Sequence, residues 1–104
     1  MEIKLEKIGN TLKVLLGQEV DHHVATQVKE QIGNQIQCGK TKHIIFDFSH
    51  TTFMDSSGIG MIMGRYQEVN RLGGKIYVTG IGKEINRILE LSGLYKIVTN
   101  LDKA

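Results

Sequence analysis

The chain has 104 residues, with 13 Lys and Arg against 11 Asp and Glu and a formal net charge of +2. That length makes one domain with one core and a radius of gyration of about 13 Å, and leaves no room for a second. The charges are mixed along the chain, without the basic cluster that marks a nucleic-acid face. A single cysteine, Cys38, excludes an internal disulfide. No apolar run is long enough for a signal peptide or a membrane span, so the expected setting is the cytoplasm.

In chain order, Glu2 to Lys7 alternates with Ile3 and Leu5 on one face. Leu12, Val14 and Leu16 alternate after the turn pair Gly9-Asn10, which together predicts an opening hairpin. Asp21 is placed to cap a helix carrying Val24, Val28, Ile32 and Ile36, closed by Gly39. His43 to Phe48 is the most apolar strand, as expected of a central strand covered on both faces. A second helix is predicted from about Ser57 to Leu72, ending at Gly73-Gly74, and Lys75 to Thr79 is the next strand. A third helix runs from about Gly82 to Ser92 and stops at Gly93, with Leu94 set for the apolar contact of a left-handed cap. Tyr95 to Val98 reads as a last short strand.

The resulting order, ββαβαβαβ, predicts a single α/β domain over residues 1–104 with a mixed, mostly parallel sheet. If the second, third and fourth strands are parallel, three loops share the edge at their carboxyl ends: Gly17–Asp21, Ser49–Asp55 and Thr79–Gly82. In open α/β sheets that edge is where ligands and partners meet the protein.

The stretch Phe53-Met-Asp-Ser-Ser-Gly-Ile-Gly60 lies on this edge, where the strand Ile44-Ile-Phe-Asp-Phe48 hands over to the second helix. One reading is a helix cap alone, because Asp and Ser oxygens accept the free N–H groups of a first turn. Three glycines, Gly58, Gly60 and Gly64, argue for more: each costs about 1 kcal/mol in a helix against alanine. Something approaches that backbone closely. Hydrolase chemistry does not fit, since neither Ser56 nor Ser57 sits in Gly-x-Ser-x-Gly and no histidine is paired with a serine and an acid. His22 and His23 are adjacent and diverge, so they make no metal site. Gly80-Ile-Gly-Lys83 lacks the spacing and hydroxyl of a phosphate-binding loop. No catalytic residue, cofactor or metal is expected.

Phosphorylation uses the most features: a hydroxyl in the first turn of a helix is accessible, and the helix dipole tolerates its phosphate. A packed partner would not tolerate it. Periodicity places Ser57 nearly opposite the apolar stripe and Ser56 on its flank, which slightly favours Ser57 as the acceptor. The interface is expected around Asp21, Asp55, Ser57, Gly58, Ile59 and Gly60, with Ile59 either an apolar contact or a core residue.

Phe53 to Gly60, extended to Gly64-Arg-Tyr66, resembles the signature of anti-sigma-factor antagonists, the STAS domain family. Asp21-His-His23, His43-Ile-Ile45, Gly73-Gly74 and Leu91-Ser-Gly-Leu94 agree with it, so the resemblance spans nearly the whole chain. It is strongest to the sporulation branch acting on sigma F. The resemblance implies a cytoplasmic adaptor without catalytic activity, nucleic-acid contact or membrane attachment. Its unphosphorylated form would bind an anti-sigma factor that is also a serine kinase, releasing the sigma factor to support sporulation transcription. That kinase would phosphorylate the first serine of the motif, Ser56, and a PP2C-type phosphatase would reverse the step. The alternative is a STAS-type domain whose same edge binds a small ligand such as a nucleotide. Family members carry a helix after the last strand, and here only a few residues follow Val98, so that helix is expected to be missing or clipped. With no proline in the chain, the third helix must begin at Gly82 without one.

Overall fold

The computed structural model describes residues 3–103. Strand β1 (Lys4–Ile8) pairs antiparallel with β2 (Thr11–Leu15) through a turn at Gly9. Two-residue strand β3 (Glu19–Val20) leads into helix α1 (His22–Gln37), and β4 (His43–Asp47) follows. A second two-residue strand, β5 (Phe53–Met54), leads into α2 (Ser56–Arg71). Then come β6 (Ile76–Thr79), α3 (Lys83–Leu91), one turn of 3-10 helix at Leu94–Lys96, and β7 (Val98–Asn100). The radius of gyration is 12.3 Å.

The main sheet has the order β1-β2-β4-β6-β7, parallel except for β1. Each helical crossover therefore steps the same way across the sheet, and right-handed connections put all three helices on one face. Burial follows. The row Leu12–Ile44–Ile76–Val98 and the row Val14–Phe46–Val78 are buried, packed with Val28 and Ile32 of α1, Ile62 and Val69 of α2, and Ile85 and Leu89 of α3. The row between them, Lys13–Ile45–Tyr77–Thr99, is half-buried to exposed. This corrects the expectation that β4 is covered on both faces. Its apolar composition reflects its central place in the sheet, with Ile45 only partly covered.

Two further corrections come from the chain ends of the elements. Tyr95 to Val98 is not a strand: Gly93 takes φ 80°, Leu94 is buried, and the chain makes a 3-10 turn before pairing begins at Val98. The Tyr95 hydroxyl donates to Asn86 of α3 at 2.6 Å and holds that turn against the helix, a contact between residues nine apart that local pattern does not reveal. In the opening strand pairing runs from Lys4 to Ile8, and Glu2 lies outside the described residues. The remaining expectations hold within a residue or two: Asp21 caps α1, Gly39 closes it at φ 78°, and α3 starts at a Gly82 N-cap that makes no side-chain bond.

Candidate functional site

Strands β2, β4 and β6 end on one edge, and two of the three loops there do not run straight into their helices. Gly17 to Val20 and Ser49 to Met54 rise off the main sheet and pair in a separate parallel ribbon, Glu19 with Phe53 and Val20 with Met54. The buried hydroxyl of Thr51 ties the two segments together by donating to the Gly17 carbonyl at 2.7 Å. The Thr52 amide donates to Gln18 at 2.9 Å and the Asp55 amide to Val20 at 3.2 Å. Val20 and Met54 point inward and are buried, while Phe53 is 48% exposed.

This ribbon starts two helices side by side in the same register. Each is capped by the aspartate that follows the ribbon. Asp21, at φ −98° and ψ −171°, accepts from the Val24 amide at 3.0 Å. Asp55, at φ −96° and ψ −174°, accepts from the Ser57 amide at 2.9 Å and the Gly58 amide at 3.3 Å. Side-chain oxygens in this place satisfy first-turn amides that have no partner inside the helix. The two positive helix ends, and the two carboxylates that answer them, are presented together on one edge.

Ser56 opens α2 and is exposed. Ser57 is half-buried and turned toward α1, its Oγ 3.5 Å from Nδ1 of His22. The relative exposure is the reverse of what periodicity indicated. Helix α1 lies beside α2 and faces the flank that carries Ser57, Met61 and Arg65, so Ser56 is left the more exposed of the two serines. Ile59 is partly buried and packs against the core while keeping some surface.

The three glycines separate into two kinds. A Cβ at Gly58 would lie 2.4 Å from Cγ of Met54 and 3.0 Å from Cγ1 of Val20, so Gly58 lets α2 close onto its own ribbon. A Cβ at Gly60 or Gly64 would meet nothing within 4 Å. Of the expected interface residues, Asp21, Asp55, Ser57, Gly58, Ile59 and Gly60 all fall on or beside the paired helix starts, and Gly58 serves packing within the chain.

Pattern reading missed the ribbon itself, and with it the approach of His22 to Ser57 and the exposed Phe53 on the same edge. A signal existed. In Val20-Asp21 and Met54-Asp55 an apolar residue directly precedes the capping aspartate, as it does where a buried strand end meets a helix.

The third loop of the edge, Thr79 to Gly82, is fixed from the other end of the chain. Asp102 accepts from the Thr79 hydroxyl at 2.8 Å, the Gly80 amide at 3.2 Å and the Ile81 amide at 2.8 Å. The Ile81 amide, then the Thr79 hydroxyl, outweigh its slight burial and hold its carboxyl below the usual carboxylate range. Beneath this loop Asp47 is nearly buried, which by itself would raise its pKa. The hydroxyl of Ser49 at 2.5 Å, its amide at 2.9 Å and the Lys13 ammonium at 3.6 Å reverse that and hold Asp47 low. Among the described residues no group of three His, Cys, Asp or Glu side chains is placed to hold a metal, and no helix is long and apolar enough to cross a membrane.

The arrangement is that of a one-sided α/β sheet with two helices starting in register from a small parallel ribbon and an exposed serine at one start. The STAS domain family model matches residues 2–104, and the chain belongs to that family. It is 37% identical to an anti-sigma F factor antagonist of Paenibacillus polymyxa, over 98% of this chain and 87% of that one. The fold is similar to that of the anti-sigma factor antagonist SpoIIAA in its unphosphorylated form, with a TM-score of 0.82, 26% identity and coverage of 98% and 89%. It is similar also to the Bacillus cell fate determinant SpoIIAA in the phosphorylated form, with a TM-score of 0.80, 28% identity and coverage of 97% and 92%.

Proposed function

We propose that this chain is an anti-sigma factor antagonist of the sporulation type, a cytoplasmic, non-catalytic adaptor switched by phosphorylation of Ser56. The unphosphorylated form binds an anti-sigma factor that is also a serine kinase and so frees the sigma factor. The kinase phosphorylates Ser56 from ATP, and a PP2C-type phosphatase restores the binding form. The observation that carries this reading is the exposed Ser56 at the start of α2, beside a half-buried Ser57 and flanked by two capping aspartates. Its support from relatives is the 37% identical anti-sigma F factor antagonist and a similar fold whose phosphorylated form is known.

The electrostatics favour a steric and charge block over a refolding switch. A phosphate on Ser56 adds about −2 of charge at a helix N-terminus, where the dipole stabilises it by about 1 kcal/mol. It does not gain the Ser57 and Gly58 amides, because Asp55 already occupies both. The fold therefore keeps its cap. A partner lying on the same turn would have to desolvate the new dianion next to Asp21 and Asp55, at several kcal/mol, which lowers affinity by a factor of hundreds or more.

The test is incubation of the chain with a candidate anti-sigma kinase and ATP, read by intact mass. One phosphate on the wild type, none on Ser56→Ala, and persistent binding of Ser56→Ala to the kinase support the proposal. Phosphate transfer to Ser56→Ala at the wild-type rate refutes the assignment of Ser56.

A further inference from the structure

A cleft of about 330 Å³ runs along the contact of α1 and α2, starting at Ser57 and His22. It follows α2 past Gly60 and Gly64 to Arg65, with Lys29 of α1 on its rim. Ser57 and Arg65 are eight residues apart, so the cleft extends about 12 Å along the helix from the serine turn.

Two independent observations bear on what could occupy it. The first is Arg65, which is only 5% exposed although it lines the cleft. Its Nε donates to Glu68 at 2.6 Å, while Nη1 is buried with no hydrogen-bond partner. A buried guanidinium donor without an acceptor is costly to a fold, and a carboxylate or similar oxyanion is its natural complement. The second is the pair Gly60 and Gly64. Glycine destabilises a helix interior, and at these two positions the protein's own packing does not require it, because an added Cβ would meet nothing within 4 Å. Both glycines face the cleft and leave its α2 wall bare backbone.

We propose that the α1–α2 cleft is an extension of the partner interface, and that it receives an acidic segment of the docked anti-sigma factor whose carboxylate pairs with Arg65. The proposal rests on the functional reading above. The cleft is continuous with the Ser57 turn, so a protein seated on Ser56 reaches it without a second docking event. Its charge is complementary to a carboxylate: Arg65 and Lys29 line it, no acidic side chain among the described residues does, and the Glu68 that pairs with Arg65 Nε leaves Nη1 unpaired. The glycine wall admits a polypeptide backbone, which a free anion would not need. Phosphorylation of Ser56 would then break the contact at one end of a footprint that Arg65 anchors at the other.

The test measures binding of the 104-residue chain to the anti-sigma F factor of Paenibacillus polymyxa by calorimetry, at two salt concentrations, with Arg65→Gln and Gly64→Ala. Arg65→Gln is expected to weaken binding roughly thirtyfold or more and to flatten its salt dependence. Gly64→Ala is expected to weaken binding about tenfold while its Tm stays level or rises, which a folding defect would not produce. If wild type and both variants bind equally, the cleft is not part of the interface and the proposal falls while the functional reading stands. If the wild type does not bind at all, both fall. A parallel titration with inorganic phosphate follows the Arg65 Nε–H resonance. A saturable shift there, with variant binding to the anti-sigma factor unchanged, would reassign the cleft to a small anion and overturn the protein-segment assignment.

Discussion

Gly58 and Gly60 stand two residues apart in the same helical turn, yet alanine should act on them in opposite directions. At Gly58 the new Cβ would sit 2.4 Å from Cγ and 2.9 Å from Sδ of Met54, and 3.0 Å from Cγ1 of Val20. Met54 and Val20 are both buried in the ribbon beneath α2, so neither moves away without disturbing its own packing. Overpacking of this kind costs about 1–3 kcal/mol, offset by about 1 kcal/mol from the better helix propensity of alanine. The net loss is about 1 kcal/mol. At Gly60 nothing lies within 4 Å, so only the propensity gain of about 1 kcal/mol remains. The two variants should therefore differ by about 2 kcal/mol. For a domain of this size that is roughly 8–16 °C in Tm, with Gly60→Ala above the wild type and Gly58→Ala below it. Thermal and urea unfolding followed by circular dichroism at neutral pH measure both. Equal stabilities, or Gly58→Ala the more stable, would show that the ribbon gives way freely and that the close approach of α2 is not what selects glycine at 58.

Three other outcomes follow from the site. Asp21→Ala should lose about 1 kcal/mol of stability through its cap, and should bind the anti-sigma factor more weakly than that loss explains at temperatures where it is fully folded. Unchanged binding by the folded variant would leave Asp21 as a cap alone. Asp47 and Asp102 both have carboxyls held below their ordinary values, so the stability they add is present above the ordinary carboxylate range and is lost as pH falls through their folded pKa values. Urea midpoints should thus stay level from pH 7 to about 5 and drop below about 4. Asp102→Asn should flatten part of that drop, though only modestly because Asp102 is exposed. An identical acid slope in the variant would contradict the role given to its three hydrogen bonds. Phosphorylated and unphosphorylated chains should differ in amide NMR shifts only near Ser56, the ribbon and the α1 start, and shifts spread across β6 and α3 would argue for a conformational switch.

Much of this molecule was legible from residue order. The period-four apolar positions of α1, the alternation of Leu12, Val14 and Leu16, and the glycines at 39 and 93 are local signals, and local physics decides them. The shared edge of the three loops also followed, because strands joined by helical crossovers must run parallel. The Asp-Ser-Ser-Gly turn could be placed on that edge before any coordinates.

What residue order did not determine were relations between segments far apart in the chain. The β3–β5 ribbon joins residues 34 apart by two short strands, too brief for any period to show, and it brings the two helix starts side by side. Which serine is free depends on α1 covering one side of α2, so the helical wheel of α2 by itself ranks Ser56 and Ser57 in the wrong order. Whether a glycine is kept for the chain's own packing or for something outside it also depends on what stands across from it. Gly58 faces Met54 and Val20, and Gly60 and Gly64 face open space. Helix propensity treats the three alike, since it is a property of the backbone. Only the tertiary structure separates them, because steric room is set by neighbours that folding brings in from elsewhere.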